Sequence, residues 1–272
     1  MTKPMTRNPA ALPPHDDLMF RMLNEPGAAI LGIEDWPRPK LAHQWKEGRS
    51  AMELARAWCG GDNLTCPAEL QDLLDSHPLT AGVRLIEGRP EHVTPLPMRG
   101  EGRNHDLWIR GEAGDTSVTI CVEAKTDESF GECIGPYLAA ARAANERTGT
   151  SKRARELFGI LLGREVDPEV QPFASQRYQL LTAAAGTILQ ARMDGSSIAV
   201  LVVHQFRSAT LDPVKLQRND ADLAAFLAML SNGPITFSSG ELTGPWSMSK
   251  TGEEKPSYLL IGKIVTWLAE PT

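Results

Sequence analysis

One apolar run limits the folds that this chain can adopt. It extends from Ser197 to Val203 and has Val-Leu-Val-Val at its centre. A strand with one face in water alternates apolar and polar residues, whereas an uninterrupted apolar run is typical of a strand buried on both faces. The run therefore predicts a sheet covered by helices, as in α/β proteins.

The segments around this run have a readable order. Predicted strands precede a series of helices, and the helix that follows the run begins at Asp212, a good N-cap residue. Residues 88–102, rich in glycine and proline, are predicted as loop with a short extended piece near Glu91 to Thr94. The order predicts an α/β (α+β) domain around a mixed sheet. Predicted strands cover 83–87, 106–110, 117–125, 197–203 and 258–265, and predicted helices cover about 129–144, 152–162, 174–193 and 212–230.

The first third of the chain is predicted to be mostly helical. Ser50 and Glu53 have the spacing of a capping box that opens a helix through Trp58, and a short helix is expected over residues 68–75. Residues 1–17 contain four prolines and no apolar run, which predicts a flexible polar arm and not a signal peptide. We expect three parts: an arm at 1–17, a helical region at 18–80 and the main domain at 81–272. Whether the helical region is a separate domain stays open.

Composition excludes several classes of protein. A hydrophobic content of 42% allows a sizeable core, and no apolar stretch is long enough to predict a membrane span. A net charge of −6 argues against a protein that coats nucleic acid non-specifically. The four cysteines form no CxxC pair, which favours free, reduced thiols and a cytoplasmic location. Motifs for a P-loop, a dinucleotide fold, zinc proteolysis and serine hydrolysis are all absent.

The residues with the clearest chemistry are Asp106, Glu123 and Lys125. If the strands on either side of the turn at 112–115 form a hairpin, Asp106 lies across from about Cys121, one or two places from Glu123. Side chains alternate along a strand, so Glu123 and Lys125 face the same way. Two carboxylates and one ammonium group are therefore expected to converge at one end of the sheet.

This combination suits phosphodiester hydrolysis. Mg²⁺ prefers carboxylate oxygens and water, it activates bound water, and a nearby lysine stabilises charge that develops on the phosphate. The E-x-K spacing alone is weak evidence, because Glu253-Glu254-Lys255 repeats it in a predicted loop. The alternative is a solvated ion pair at the point where the strand leaves the core.

The same segments resemble a known superfamily. Asp106 and Glu123-Ala124-Lys125, with the helix after them, resemble the core signature of PD-(D/E)xK, or restriction-endonuclease-like, proteins. His105-Asp106-Leu107-Trp108, Phe130-Gly131 and the segment 177–181 are similar to an uncharacterised bacterial family within it. The resemblance covers about residues 45 to 230. It implies an αβββαβ core with a mixed sheet and a Mg²⁺-dependent (or Mn²⁺-dependent) hydrolase.

The resemblance also implies roles for individual residues. Asp106 and Glu123 would bind the metal and Lys125 would be the catalytic lysine. Glu91 or Glu87 would add a third acidic ligand, with Glu91 preferred, and Gln179 would support catalysis from the helix behind the site. In the exonuclease branch a glutamine precedes a tyrosine by four residues, whereas here Tyr178 precedes Gln179, which argues against an exonuclease.

Other candidates have simpler interpretations. His105 is expected on the face opposite Asp106, in a structural role, and His204 is expected to be a hydrogen-bonded core residue. His92 and Arg177 are weaker candidates for contacts in the site. Arg99 and Arg103 could line a substrate channel or be plain loop charges. The tryptophans at 36, 45, 58 and 108 are expected to anchor the core.

Three functions remain open at this point. The first is an endonuclease in defence or repair, with DNA expected as its substrate in preference to RNA. It would work as a monomer or as a homodimer. The second is a catalytically inactive module of the same fold that binds a protein or nucleic-acid partner, which the acidic net charge favours. The third is a small-molecule hydrolase with the same carboxylates, for which the sequence offers no pocket motif.

Overall fold

The computed structural model describes residues 20–25, 27–39, 42–60, 64–248 and 257–268, in which a seven-stranded mixed sheet separates two helical layers. The predicted arm at 1–17 and the second E-x-K tripeptide lie outside the described residues. The strands are β1 (Arg21–Met22), β2 (Arg84–Thr94), β3 (Arg103–Ala113), β4 (Thr116–Lys125), β5 (Ile198–Arg207), β6 (Leu242–Ser247) and β7 (Tyr258–Trp267). The helices are α1 (Ser50–Cys59), α2 (Ala68–Asp75), α3 (Ile134–Ala144), α4 (Thr150–Leu162), α5 (Tyr178–Asp194) and α6 (Pro213–Leu230).

The strands lie in the order β1-β2-β3-β4-β5-β7-β6. Strands β2, β3 and β4 form an antiparallel meander, and β4, β5 and β7 run parallel. The two outermost strands differ, because β1 is parallel to β2 and β6 is antiparallel to β7. The predicted α/β class, the mixed sheet and the order of elements from β2 to α6 are confirmed.

The sheet is buried because apolar helices cover both of its faces. Nine of the ten residues of β5 are buried, as its apolar sequence predicts. Helices α3 to α6 cover one face through side chains such as Phe158, Leu181 and Phe226. Helices α1 and α2 cover the other face through Leu54, Trp58 and Leu73. The N-terminal helices thus share a core with the sheet, and the boundary near residue 80 stays a prediction.

Strand β2 is longer than expected. The loop predicted for 88–102 is wrong at its start, since β2 continues through Thr94 and pairs with β3, whereas the extended piece expected at 91–94 and the loop after it are confirmed. Pro90 is tolerated because β1 pairs only with Glu87 and Gly88, so at Pro90 the strand has an open edge that needs no N–H donor. Two strands were not predicted: β1, which has two residues, and β6, an edge strand that contains Pro245.

Of the predicted helix caps, one is confirmed and one is wrong in part. The Asp212 cap is confirmed, because its carboxylate accepts a hydrogen bond from the Val214 N–H at 2.9 Å. The Ser50 capping box is wrong in part, since Arg49 is the N-cap residue and the Ser50 hydroxyl donates to Glu128 at 3.4 Å. Glu53 accepts instead from the Gly48 N–H at 2.7 Å, although the helix itself begins at Ser50 as predicted.

Two further findings bear on the expectations from composition. All four cysteines are free. Within the described ranges, no helix has both the length and the apolar character needed to cross a bilayer.

Candidate active site

The β3–β4 ladder brings the candidate residues together. Leu107 pairs with Val122, so the next antiparallel positions along the two strands are Asp106 and Glu123. Asp106 was predicted to lie across from Cys121, but Cys121 pairs with Trp108. The predicted hairpin is therefore confirmed, and the register is two residues closer to Glu123 than expected.

Glu123 and Lys125 point to the same face of β4, as alternation predicts. The Lys125 ammonium donates a hydrogen bond to Glu123 Oε1 at 2.6 Å. Both residues are buried, with 3% and 7% of their surface exposed. The alternative of a solvated ion pair is therefore wrong, because this pair lies inside the protein. Burying charged groups costs free energy, so this arrangement is expected only where the charges are paired or used.

Arg103 supplies a second cation to the same carboxylate. Its guanidinium Nη2 contacts Glu123 Oε2, and its side chain is almost as buried as that of Lys125. Burial lowers the pKa of Arg103, while the negative charge of Asp106 raises it. The interpretation of Arg103 as a loop charge is wrong, since Arg103 is the first residue of β3. Gly100 and Gly102 obscured the start of this strand in the sequence.

Asp106 bonds to the backbone of β4 and lies near a second carboxylate, that of Glu91. Its Oδ2 accepts a hydrogen bond from the Ala124 N–H at 2.7 Å, which fixes it beside Glu123. Burial and the nearby charge of Asp106 raise the pKa of Glu91, and Asn104 Nδ2 donates to Glu91 Oε2 at 2.6 Å. The preferred third acidic candidate therefore lies near Asp106.

The backbone explains how Glu91 reaches this position. Glu91 has a φ of 55°, in the left-handed region that side chains other than glycine seldom adopt. The ladder between β2 and β3 pairs Pro90 with Leu107 and His92 with His105, and skips Glu91 and Asp106. The local distortion thus occurs at the two acidic residues. The alternative ligand, Glu87, instead forms an ion pair with Arg89 at 2.8 Å.

Lys125 lies in surroundings that disfavour its charge. Burial lowers the pKa of Lys125, and Arg103 lowers it further, while Asp106 and Glu128 raise it. Its Nζ lies 5.4 Å from the centre of the Phe130 ring. A lysine with a lowered pKa can donate a hydrogen bond and exchange a proton more readily than an exposed one.

Gln179 lies at the start of α5, behind the loop that follows β4. Its N–H donates to the Phe130 carbonyl at 3.4 Å, and its side chain packs against Gly131. Its side-chain Oε1 is buried without a hydrogen-bond partner among the described residues. Gln179 therefore adjoins the site through the loop, with an acceptor that has no partner there.

The loop after β4 is held in place by hydrogen bonds. Glu128 accepts from the Thr126 hydroxyl at 2.5 Å and the Thr126 N–H at 2.8 Å. These bonds lower the pKa of Glu128 against the effect of burial, which would raise it. The start of the helix predicted over 129–144 is wrong, because α3 begins at Ile134 with Cys133 as its N-cap residue. Residues 126–133 form this loop instead.

The remaining candidates have structural contacts. Arg177 donates to Asp222 and to the Gly131 carbonyl, both at 2.8 Å, and so anchors the loop. His92 lies 3.0 Å from Gln190 and stacks on Trp108. His105 is buried against Gly186 of α5, and burial lowers its pKa well below the usual value. His204 is a buried residue that bonds to Thr266, as expected.

The tryptophans fit the expected core role. Trp36, Trp58 and Trp108 are buried, and Trp45 packs partly buried against the core. Trp108 also donates its indole N–H to Asp194 at 2.9 Å, which satisfies its one polar group.

The carboxylate oxygens of the candidate residues are suitable ligands for a hard cation, although the side chains are not arranged around one. In the part of the chain that the structure describes, no three His, Cys, Asp or Glu side chains stand close enough to hold a metal ion. Asp106 and Glu91 offer the carboxylate oxygens that Mg²⁺ and Mn²⁺ accept, and their mutual repulsion favours a cation. Glu123 would join them once Arg103 or Lys125 releases one of its oxygens. The residues thus fit such an ion in chemistry.

Comparison with known proteins gives one result. A search of curated proteins and a search of solved structures found no significant match. A family model described as a domain of unknown function, DUF6946, matches residues 29–259, which include the whole candidate site. The chain therefore belongs to the DUF6946 family.

Proposed function

We propose that this protein is a metal-dependent endonuclease that hydrolyses phosphodiester bonds in nucleic acid, with DNA as the preferred substrate. The observation that carries the proposal is the convergence of Asp106, Glu123 and Lys125 at the end of the β3–β4 hairpin, with Glu91 beside Asp106. Buried groups of this kind, held on adjacent strands, favour a precisely positioned site.

The order of elements supports the finer fold assignment. Helix α2, the meander β2-β3-β4, helix α5 and strand β5 follow one another as in an αβββαβ core, with α3 and α4 as additions before α5. The pairing of β5 with β4 in parallel agrees with that core. We infer from this order a restriction-endonuclease-like domain, in which the acidic residues stand where the superfamily has its active site.

Each residue then has a role in the reaction. Asp106, Glu123 and Glu91 would hold Mg²⁺ or Mn²⁺, which when bound lowers the pKa of water and polarises the phosphate. Lys125 would orient the attacking water and donate a hydrogen bond to a phosphate oxygen as negative charge develops. Gln179 would use its free acceptor to hold the same water. Arg103 acts as a positioning residue, because it holds the Glu123 side chain.

A basic surface beside the loop supports binding of a phosphate backbone. A cavity of about 280 Å³ is lined by three cations, Arg49, Lys215 and Arg218, and by Asp127, Glu128, Ser129 and Asn219 of the surrounding segments. Two of these cations also pair with Asp127, at 3.4 and 3.0 Å. A protein with a net charge of −6 needs a local excess of positive charge to bind a polyanion, and in this cavity three cations stand beside two carboxylates.

A substrate panel tests the proposal. Supercoiled plasmid, linear duplex, single-stranded DNA and RNA are each incubated with the purified protein in Mg²⁺, Mn²⁺ or EDTA. We expect cleavage only with metal, and none by Lys125→Ala. Arg110→Ala, which changes an exposed arginine outside this cavity and outside the carboxylate cluster, is the control and should retain cleavage. Equal activity of Lys125→Ala and the wild type would contradict the proposal.

One observation favours a second candidate, a catalytically inactive module of the same fold that binds a partner. Both oxygens of Glu123 are engaged by cations, so the carboxylate is neutralised without any metal. Titration with Mn²⁺ separates the two candidates. Saturable binding that disappears in Glu123→Gln supports the enzyme, whereas no binding together with no cleavage supports the inactive module.

A further inference from the structure

A second concave surface lies next to the candidate active site. This aromatic pocket has a volume of about 480 Å³ and is lined by Met98, Arg99, Tyr137, Arg153, Tyr178 and residues 148–150. Its volume is in the range of about 300–1,000 Å³ typical of small-ligand sites. The pocket is large enough to accept one unit of a polymer.

Two chain segments connect the aromatic pocket to the carboxylates. Tyr178 precedes Gln179, the glutamine that packs on the loop after β4. Arg99 lies in the segment that leads into Arg103, whose guanidinium contacts Glu123. These two segments link the pocket to the candidate active site along the chain.

The two tyrosines give the pocket flat apolar walls. Their ring centres are 4.4 Å apart and the planes are inclined by 32°, so each ring supports the other. Burial, followed by the influence of the neighbouring Tyr137, raises the pKa of Tyr178 to about 12. A flat ring held in this way accepts any base, since every base offers a π-face.

The two arginines give the pocket its charge. Arg99 is exposed, and no acidic side chain is among the residues that line the pocket. Arg153 donates through Nη2 to the Glu101 carbonyl, while its Nε is buried without a hydrogen-bond partner in the described part of the chain. The guanidinium is thus fixed in place at the wall of the pocket. Arginines in such positions bind phosphate oxygens well.

We propose that the aromatic pocket binds one unpaired nucleotide of a nucleic-acid strand, with the base on Tyr137 and Tyr178 and a phosphate at Arg99 and Arg153. The inference rests on the proposed function and narrows it, because it makes the preferred substrate a strand with an unpaired base near the scissile phosphate. Stacked aromatic residues and arginines bind single strands in this way without strict sequence preference.

The test measures binding apart from cleavage. Fluorescein-labelled strands of about 12 nucleotides, in the range of known single-strand site sizes, are titrated with the full protein in EDTA. One sequence is used as DNA, as RNA and as an abasic DNA strand that keeps the phosphates but lacks the bases. The variants are Tyr137→Ala, Tyr137→Phe and Arg99→Ala, and Arg110→Ala serves as a control for an exposed arginine elsewhere. Thermal unfolding verifies that each variant is folded.

The expected result is specific. Tyr137→Ala should weaken binding by about fivefold or more, while Tyr137→Phe, which keeps the ring, should bind like the wild type. Arg99→Ala should weaken binding and reduce the salt dependence by about one counterion. Arg110→Ala should change neither, and the abasic strand should bind less tightly than the normal strand. The tighter of DNA and RNA identifies the nucleic acid that the pocket accepts.

Other outcomes would overturn the inference. It fails if no strand binds, if the abasic strand binds as tightly as the normal one, or if Tyr137→Ala and Arg99→Ala bind like the wild type. A parallel cleavage assay in Mg²⁺ separates this failure from that of the proposed function. Binding as expected without cleavage refutes the nuclease and supports the pocket, whereas cleavage with unaffected pocket variants refutes the pocket alone.

Discussion

The Lys125 ammonium donates to Glu123 Oε1 at 2.6 Å, and both side chains are buried at the end of β4. Arg103 contacts the other oxygen of the same carboxylate. One buried anion is therefore shared by two buried cations. Such a cluster carries an unbalanced positive charge unless a further anion is near, and Asp106 supplies it, since its charge raises the pKa of both Arg103 and Lys125.

Removal of the Arg103 side-chain charge should lower the free energy of unfolding. Arg103→Met keeps most of the apolar volume but removes one partner of a buried charge, for which we expect a loss of about 3–5 kcal/mol in the free energy of unfolding. Arg84→Met is the matched control, because Arg84 pairs with Glu112 at 2.9 Å with both side chains about 40% exposed. That pair should contribute only about 0–1 kcal/mol. Urea denaturation measures both, and equal losses would contradict the buried arrangement.

Two helical glycines should respond in opposite directions to alanine. A Cβ at Gly186 of α5 would lie 3.0 Å from Arg103 Cγ and 3.1 Å from His105 Nε2. At Gly159 of α4 the nearest atom is the Arg164 carbonyl oxygen at 4.0 Å. Gly159→Ala should therefore stabilise the protein by about 0.5–1 kcal/mol through helix propensity.

Gly186→Ala should instead lower the melting temperature, because the new methyl group presses on two buried side chains that cannot move into solvent. Thermal unfolding of both variants under the same conditions tests the pair. A stabilising effect at Gly186 would mean that α5 does not pack closely on Arg103.

These contacts show where the sequence was informative. Alternation along β4 predicted the shared face of Glu123 and Lys125, because a strand with a period of two has only one way to place them. The hairpin followed from a turn between two β-rich segments. The two-residue error in register arose because the sequence does not reveal where a turn closes, and each step in register moves a side chain to the other face.

Other features depend on tertiary contacts. Arg103 seemed to be a loop residue because the adjacent Gly100 and Gly102 are typical of loops, and its partner Glu123 is twenty positions away. Ser50 was assigned as a cap, but its hydroxyl bonds to Glu128, on a loop far along the chain. The length of β2 was underestimated because Pro90 is acceptable only beside an open edge, which follows from the short β1. None of these contacts can be inferred from the neighbouring residues in the sequence.

The stability of the protein should depend on pH through Glu91. Burial and Asp106 raise the folded-state pKa of Glu91 above its ordinary value of 4.5. Between these two pKa values the folded state holds more protons than the unfolded state, so stability falls as pH rises through that window. Glu91→Gln removes this charge and keeps an oxygen that can accept from Asn104.

Urea denaturation in EDTA at about pH 4 and about pH 7 tests this linkage. The free energy of unfolding of Glu91→Gln, compared with that of the wild type, should be more favourable at the higher pH than at the lower pH. Asp75→Asn is a useful control, because hydrogen bonds from Gly82 and Gln71 lower the pKa of Asp75, so its linkage has the opposite sign. If Glu91→Gln and the wild type differ in stability by the same amount at both pH values, Glu91 is not near Asp106.

Gln179 and Gln190 lie on the same helix and should separate activity from stability. Gln179 Oε1 has no hydrogen-bond partner in the described residues, so Gln179→Met should leave stability unchanged or slightly raised. Gln190 accepts from Thr94 at 2.8 Å and donates to Asp194 at 2.8 Å. Gln190→Met leaves these buried groups unpaired and should cost about 1–3 kcal/mol.

Activity should show the reverse order. Gln179→Met should reduce the rate of metal-dependent cleavage, whereas Gln190→Met, measured well below its melting temperature, should retain it. If Gln179→Met cleaves at the wild-type rate, Gln179 is a packing residue and has no part in the reaction.

The most direct test of the central claim is the initial rate of plasmid cleavage in Mg²⁺ by the wild type, Asp106→Asn and the control Arg110→Ala. Asp106→Asn preserves the shape of the side chain and its acceptor for the Ala124 N–H, and removes the charge that would bind metal. The account predicts cleavage by the wild type and by Arg110→Ala, and a loss of at least about a hundredfold in Asp106→Asn. Equal rates for the wild type and Asp106→Asn, or no cleavage by any of the three, would contradict it.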